Sequence, residues 1–450
     1  MPTPFLSIVN ESFFSALAVL AIIIAVGAIL GRLAETVRLP SITGYFVSGL
    51  AVGGWLLLSR GESVYGGLSI LSNVAIAFIA FELGTRLHRK SLKANFSEVA
   101  VIVVMQAIFT IGLVTLLFIL FGAPWYMALV VGVIATATSP ETIMVLSRKY
   151  KTKGHLTNAI MPHIGMDDIV GVILFSVALA IAGAAAAGGS PNPEVAIAEP
   201  LLEILGSIVV GAVIGILLAF FIKLAKRRDP EYMQTFLTET VAAVLLTAAL
   251  ALHGWQFGEV RFILSPILTP MFMGIFFTNF IPKDLRKEND EAVDAFTPPF
   301  ILVFFALIGV QFVMEMQDVE AAWWLIAIFA LAYAVVRVAG KQIGIFIGAK
   351  IKETDHKVIK FLVRALLPQA TVSIGMAQVL LHEESLPEEW RGTLFMVVLI
   401  AGILYQFVGP FFSRKALADA NEIDPKLMYF NGHPDEHDDH HPEPAPAEKK

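Results

Sequence analysis

The chain has 450 residues, no cysteine, 56% hydrophobic and only 16% charged residues, and a formal net charge of −6. With a mean hydropathy of +0.74, that composition excludes an ordinary soluble protein and points to a polytopic membrane protein. The absence of cysteine excludes disulfides, thiol catalysis and thiolate metal sites, while the formal charge says little, because an acidic C-terminal tail supplies much of it.

The first apolar stretch, Phe13–Leu30, lacks a basic leader and is long enough to span, so it reads as a transmembrane helix and not a cleavable signal. Further apolar spans fall at 40–58, 66–84, 97–121, 124–147, 156–184, 200–222, 234–252, 262–281, 298–314, 321–349, 360–382 and 392–413, thirteen with the first. The span Phe262–Ile281 is interrupted by Pro266 and Pro270. Placing alternate loops in the cytoplasm puts 26 of the 32 lysines and arginines inside, 3 outside (Arg60, Arg261 and Arg391) and 3 within spans (Arg337, Lys341 and Arg364). The positive-inside rule therefore predicts an outside N-terminus and a cytoplasmic C-terminus, with an odd number of spans.

The Ala/Gly/Pro-rich stretch Gly183–Pro200 reads as an outside loop joining two halves. Six helices, a linking helix and six more of opposite orientation give an all-α architecture of two inverted six-helix repeats. Thr136-Ala-Thr-Ser-Pro140 interrupts the fifth span and Pro368-Gln-Ala-Thr-Val-Ser-Ile-Gly375 the twelfth, at corresponding positions of the two halves. These are predicted to be discontinuous crossing helices, whose unwound carbonyls and hydroxyls can coordinate a dehydrated cation or offset charge. From Ala416 onward the chain turns polar, acidic and His-rich, a disordered cytoplasmic tail by composition. His433, His437, His440 and His441 could bind a divalent metal weakly; a merely solvated tail is the blander account.

Chemistry concentrates on Asp167 and Asp168, roughly a dozen residues into a span that begins near Leu156. That is about 18 Å along a helix, near the middle of an apolar layer about 30 Å thick. Each carboxylate costs about 2.5–3.5 kcal/mol at such a depth, so the pair implies a ligand, and the simplest are a proton and a small cation. A structural ion pair or a hydrated helix end is the alternative. Arg337 and Lys341 lie one turn apart on one helix face and are unfavourable there for the same reason. One or both should pair with a carboxylate or offset the second broken helix, unless Lys341 snorkels to the surface. Glu82 and Glu141 are candidates to pair with Arg337 or to flank the pathway, Glu82 reading as the more interfacial. His163, one turn before Asp167, reads equally as a pH sensor or as a cap on the funnel. No phosphate loop, His-Glu-x-x-His or dinucleotide fingerprint occurs; no enzyme activity, cofactor, nucleic-acid partner or resident metal is expected.

Ala137-Thr-Ser-Pro140, Gly165-Met-Asp-Asp-Ile169 and Leu367-Pro-Gln-Ala-Thr-Val372 resemble the first crossing helix, the paired-aspartate motif and the second crossing helix of the monovalent cation:proton antiporters. The resemblance is to the second branch of that superfamily, near the bacterial NapA-like Na⁺/H⁺ antiporters and their animal relatives. Leu39-Pro-Ser-Ile-Thr-Gly-Tyr45 and Ala77-Phe-Ile-Ala-Phe-Glu-Leu-Gly84 are similar to further stretches of the family, and the likeness covers nearly all of 13–413. It implies a transmembrane antiporter domain over 1–415, with interleaved dimerisation and core parts, and a tail over 416–450. It implies a homodimer in the cell membrane that exchanges Na⁺ (or Li⁺) for H⁺ by an elevator motion. Asp168 would be the principal ion-and-proton carboxylate, Asp167 its partner, and Thr138 and Ser139 the lining of the cation site. The family's buried basic residue falls on Arg337, with Lys341 as the competing position. Where that residue is lysine it is taken to release a proton as the cation binds, which an arginine does not do easily. A K⁺/H⁺ exchanger and a non-transporting ion or pH sensor are the alternative functions.

Overall fold

Residues 11–36, 41–58, 62–87, 96–138, 146–147, 150–186, 193–229, 232–257, 260–318, 323–354, 356–369 and 371–423 are described by the computed structural model. The helices are α1 (Glu11–Thr36), α2 (Ser41–Leu58), α3 (Glu62–Thr85), α4 (Phe96–Leu120), α5 (Trp125–Ile134), α6 (His155–Ala186), α7 (Pro193–Arg228) and α8 (Met233–Leu252). A hairpin of β1 (Gly254–Phe257) and β2 (Val260–Ile263) follows. Then come α9 (Leu268–Phe280), α10 (Lys283–Phe296), α11 (Pro298–Asp318), α12 (Trp323–Ile351), α13 (His356–Ala365), α14 (Thr371–Leu381) and α15 (Glu388–Asp419). Among the described residues, 9 helices are long and apolar enough to cross a membrane, and shorter apolar helices occupy Ile70–Thr85, Trp125–Ile134, Leu268–Phe280 and Val372–Leu381.

Three stretches differ from the sequence expectation. The span expected to start at Phe262 starts at Leu268, because Val260-Arg-Phe-Ile pairs as a strand with Gly254–Phe257, in the register Gly254↔Ile263 and Phe257↔Val260. β-Branched and aromatic residues favour that strand, and Pro266 disfavours helix at Ser265. The expected loop Gly183–Pro200 is largely helical: α6 runs on to Ala186 and α7 starts at Pro193. Alanine carries the helix through, and Pro193 suits a first helical position, where its missing N–H is not needed. The basic loop holding Lys283, Arg286 and Lys287 is the amphipathic helix α10.

The helices pack in two groups. In one, α4 lies along α12, with α5, α6, α13, α14 and α15 around them; in the other, α2 lies along α11 and α9 along both α3 and α7. Backbones meet closely in each. A Cβ at Gly49 of α2 would stand 1.9 Å from the Ala306 carbonyl oxygen of α11, and one at Gly344 of α12 would stand 2.2 Å from Gln106 Cα of α4. Small residues at such crossings let apolar helices pack tightly where lipid removes any hydrophobic drive between them.

Candidate ion site at the broken helices

Helix α5 stops at Ile134, short of the proline that marks the break in sequence. The Thr136 hydroxyl turns back to the Val133 carbonyl at 2.8 Å, and the amide of Thr136 bonds the same oxygen at 2.9 Å. Ser139, Pro140 and Glu141 lie outside the described residues, so the lining role expected of Ser139 and the pairing expected of Glu141 have no structural counterpart here. Further along the chain, α13 stops at Ala365 and α14 begins at Thr371. Pro368 has no N–H to give and disfavours helix at Leu367.

Arg337 supplies donors to backbone carbonyls beyond the ends of both α5 and α13. Its guanidinium donates to the carbonyls of Ala135 (2.8 Å), Ala137 (2.7 Å) and Leu367 (3.0 Å), and lies over the Tyr405 ring at 4.7 Å. The planar fork of arginine suits a site with three fixed acceptors. Gln369 adds a link, donating to Tyr333 Oη (2.8 Å) and to the Ile134 carbonyl (3.3 Å). Arg337 is 0% exposed.

One turn along α12, Lys341 does the other work expected of a buried cation. Its Nζ lies 3.1 Å from Asp167 Oδ2 and donates to Thr138 Oγ1 at 2.5 Å. Thr138 in turn donates to Asp167 Oδ2 at 2.8 Å. The third donor to Asp167 is Gln106 Nε2 of α4, on Oδ1. Asp167, Asp168 and Lys341 are 2%, 2% and 3% exposed. The structure thus brings together Asp167, Asp168, Thr138, Lys341 and Arg337, and divides the two cations: arginine on backbone oxygens, lysine on the carboxylate. Lys341 does not reach the surface.

Glu82 stands apart. It is buried within the chain near the C-terminal end of α3, and Arg86, one turn on, donates to its carboxylate. His163 is buried with Nδ1 donating to the Ala159 carbonyl at 2.7 Å, while its Nε2 has no hydrogen-bond partner among the described residues. Gln106 was missed in the sequence reading, although a lone amide in the apolar run Val99–Thr110 is a visible signal.

Ionised groups rest inside an apolar helical bundle only where they are matched to each other and to something they exchange. An acid pair set against one amino group, where two broken helices meet, defines a secondary transporter of small ions. Residues 20–413 match the family model described as "Sodium/hydrogen exchanger, transmembrane", and the chain belongs to that family, placing it in the monovalent cation:proton antiporter superfamily, among transporters and not enzymes. Solved structures share the fold, among them two of the sodium proton antiporter MjNhaP1 from Methanocaldococcus jannaschii. One, at pH 8, superposes with a TM-score of 0.70 over 91% of this chain and 99% of that chain at 16% identity. The other, an electron-microscopy map, gives 0.70 over 92% and 99% at 17%. No curated protein sequence matches the chain.

Proposed function

We propose that this protein exchanges Na⁺ (or Li⁺) for H⁺ across the cell membrane, with Asp168 as the carboxylate that holds either the cation or the proton. Cation/proton antiport is the activity of the family; the choice of ion, the residue roles and the motion are the proposal. The observation that carries it is the burial of two adjacent carboxylates beside the ends of α5 and α13, with Thr138, Gln106 and Lys341 converging on Asp167. Lys341 lies on Asp167, so that couple is close to neutral, and Arg337 is directed to carbonyl dipoles. Asp168, buried next to that couple, is the carboxylate assigned to the exchanged ion, because a proton and a monovalent cation can each neutralise it. Thr138, and Ser139 beside it in sequence, offer neutral oxygens that replace part of a cation's hydration.

Competition for one carboxylate is sufficient for exchange if the loaded core crosses and the empty core does not. In this reading the core crosses when Asp168 holds a cation or a proton, and not when that carboxylate is ionised and empty, because a bare carboxylate is costly to carry past apolar surface. The surface available supports that asymmetry: α14 meets α3, α11 and the residue capping α9 across a gap of about 20 Å³ lined by Ile76, Ile79, Ala80, Leu83, Ile267, Phe304, Val372 and Gly375. In this reading α4–α6 and α12–α15 form the moving core, the remaining helices form the dimerisation part of a homodimer, and the C-terminus lies in the cytoplasm.

The test uses proteoliposomes with an internal pH-sensitive dye, to which Na⁺, Li⁺ and K⁺ are added in turn. Proton movement driven by Na⁺ or Li⁺ and abolished by Asp168→Asn is the expected result. A response to K⁺ alone makes the protein a K⁺/H⁺ exchanger. Full exchange by Asp168→Asn removes the residue from its role.

A further inference from the structure

Helix α6 carries the acid pair, and its first turn presents amides that need acceptors from outside the helix. The preceding residues, Lys153 and Gly154, have no side chain that accepts. The acceptor comes instead from the far end of the described chain. Glu422 takes the Leu156 amide on Oε1 at 2.7 Å, and the Thr157 amide and Thr157 hydroxyl on Oε2, each at 2.7 Å. Its backbone carbonyl takes the Lys153 amide at 3.1 Å. A carboxylate at a helix N-terminus also meets the positive end of the helix dipole.

The fit is specific on both sides. A Cβ at Gly154 would stand 2.2 Å from Glu422 Cδ, so the position has room for glycine only while the carboxylate is in place. Glu422 is held by its own amide on the Leu417 carbonyl at 3.1 Å, after Asn421 turns the chain at φ +57°. Next to it, Ile423 is buried in a cluster with Leu156, Ile160 and Ile164 of α6, Leu362 and Ala365 of α13, and Ala416 and Leu417 of α15. The clamp therefore ties the start of α6 to α15 and to the first half of the second broken helix.

Between the clamp and the acid pair lies Pro162, inside α6. It removes the helical bond to residue 158 and makes a natural bending point. The cytoplasmic end of α6 is then a lever whose free end must be fixed elsewhere if Asp167 and Asp168 are to keep their spacing to Thr138 and Lys341. We propose that Glu422 is a positioning residue of the transport site: a C-terminal clamp that holds α6 against α13 and α15, so that the acid pair and the second crossing helix move as one body. The inference rests on the exchange reading above. It also makes the four residues after α15 part of the transport machinery, while the acidic, His-rich stretch 424–450 is not needed for the clamp.

The test compares, in the same proteoliposomes, the full chain, a chain ending at Ile423, Glu422→Ala and the milder Glu422→Gln. The chain ending at Ile423 is expected to exchange like the full chain. Glu422→Ala is expected to raise the half-saturating Na⁺ concentration roughly three- to tenfold, the equivalent of a lost helix cap, with a smaller change in maximal rate. Amides at 156–160 should exchange hydrogen faster, while amides of α4 keep their protection. Glu422→Gln, which retains one accepting oxygen, should fall between, and carries the test if the alanine variant does not reach the membrane. Wild-type affinity and amide protection in both Glu422 variants overturns the proposal, as does an equal loss on removing 424–450. A full chain that exchanges no ion at all would instead sink the underlying functional reading.

Discussion

Lys341 is held in a position that neither water nor lipid would grant it. Its amino group has Asp167 and Thr138 as partners, and the cost of burying it is offset only while the carboxylate is ionised and close. Lys341→Met is therefore expected to destabilise the protein by about 3–5 kcal/mol, because it strands the Asp167 charge. Adding Asp167→Asn to the same chain should recover most of that loss, and thermal unfolding in detergent of the two single variants and the double variant measures the coupling. Additive losses would mean the two groups do not act on each other. Gln106→Ala removes a neutral donor from the same carboxylate and should cost about 1–3 kcal/mol, again by thermal unfolding, with less effect when Asp167 is already asparagine. At this scale the sequence was informative about what is buried and poor about who pairs with whom. Two adjacent carboxylates in an apolar span are conspicuous in one dimension, and so are Arg337 and Lys341. The assignment of arginine to the broken backbone and lysine to the carboxylate depends on where Ala135, Ala137 and Leu367 lie in space, which spacing along α12 does not encode.

Elements hold these residues in register through backbone contact. Helix α12 presents Gly340, Gly344 and Gly348 at four-residue intervals to α4. Cβ atoms there would stand 2.7 Å from Thr110 Cα, 2.2 Å from Gln106 Cα and 2.7 Å from Ile102 Cα. The same contact sets the distance between Lys341, on one helix, and Gln106, on the other, both of which must reach Asp167. Gly344→Ala should push α4 away from α12, cost about 1–3 kcal/mol as an overpacked contact and impair exchange more than stability. An exchange assay beside a thermal melt checks this, and wild-type exchange by the alanine variant would show that the register tolerates the shift. The two breaks were legible because Pro140 and Pro368 announce them, although α5 ends several residues before its proline. The hairpin at Gly254–Ile263 was not, since Phe262 and Ile263 extend the hydrophobic run of α9 without a visible boundary, and hydropathy does not distinguish a short apolar strand from the first turn of a helix.

For the whole molecule, the decisive question is whether the two packed groups of helices move against each other. The contact between them is suited to sliding: the residues facing across it from α3, α11, α14 and the cap of α9 are aliphatic or aromatic, with Gly375 and Ala80 the smallest, and a Cβ at Gly375 would find only Ile267 Cδ1, at 3.8 Å. No hydrogen bond has to break along that line of side chains, and its packing can be re-formed one step along, whereas between α6 and α7 the Glu203–Ser176 hydrogen bond would have to break. Because the chain has no cysteine, a pair of thiols placed across the gap would be the only ones present. Ile79→Cys combined with Gly375→Cys joins α3 to α14 on oxidation or with a short thiol-reactive bis-methanethiosulfonate. If the groups slide, the joined protein should lose exchange while still being stabilised against heat by Na⁺, because binding at the acid pair needs no displacement. Reduction of the disulfide should restore transport in the same vesicles. Undiminished exchange by fully joined protein would show that the cation crosses without relative motion of the two groups, and the site would then have to be opened to each side by smaller changes at the broken helices themselves.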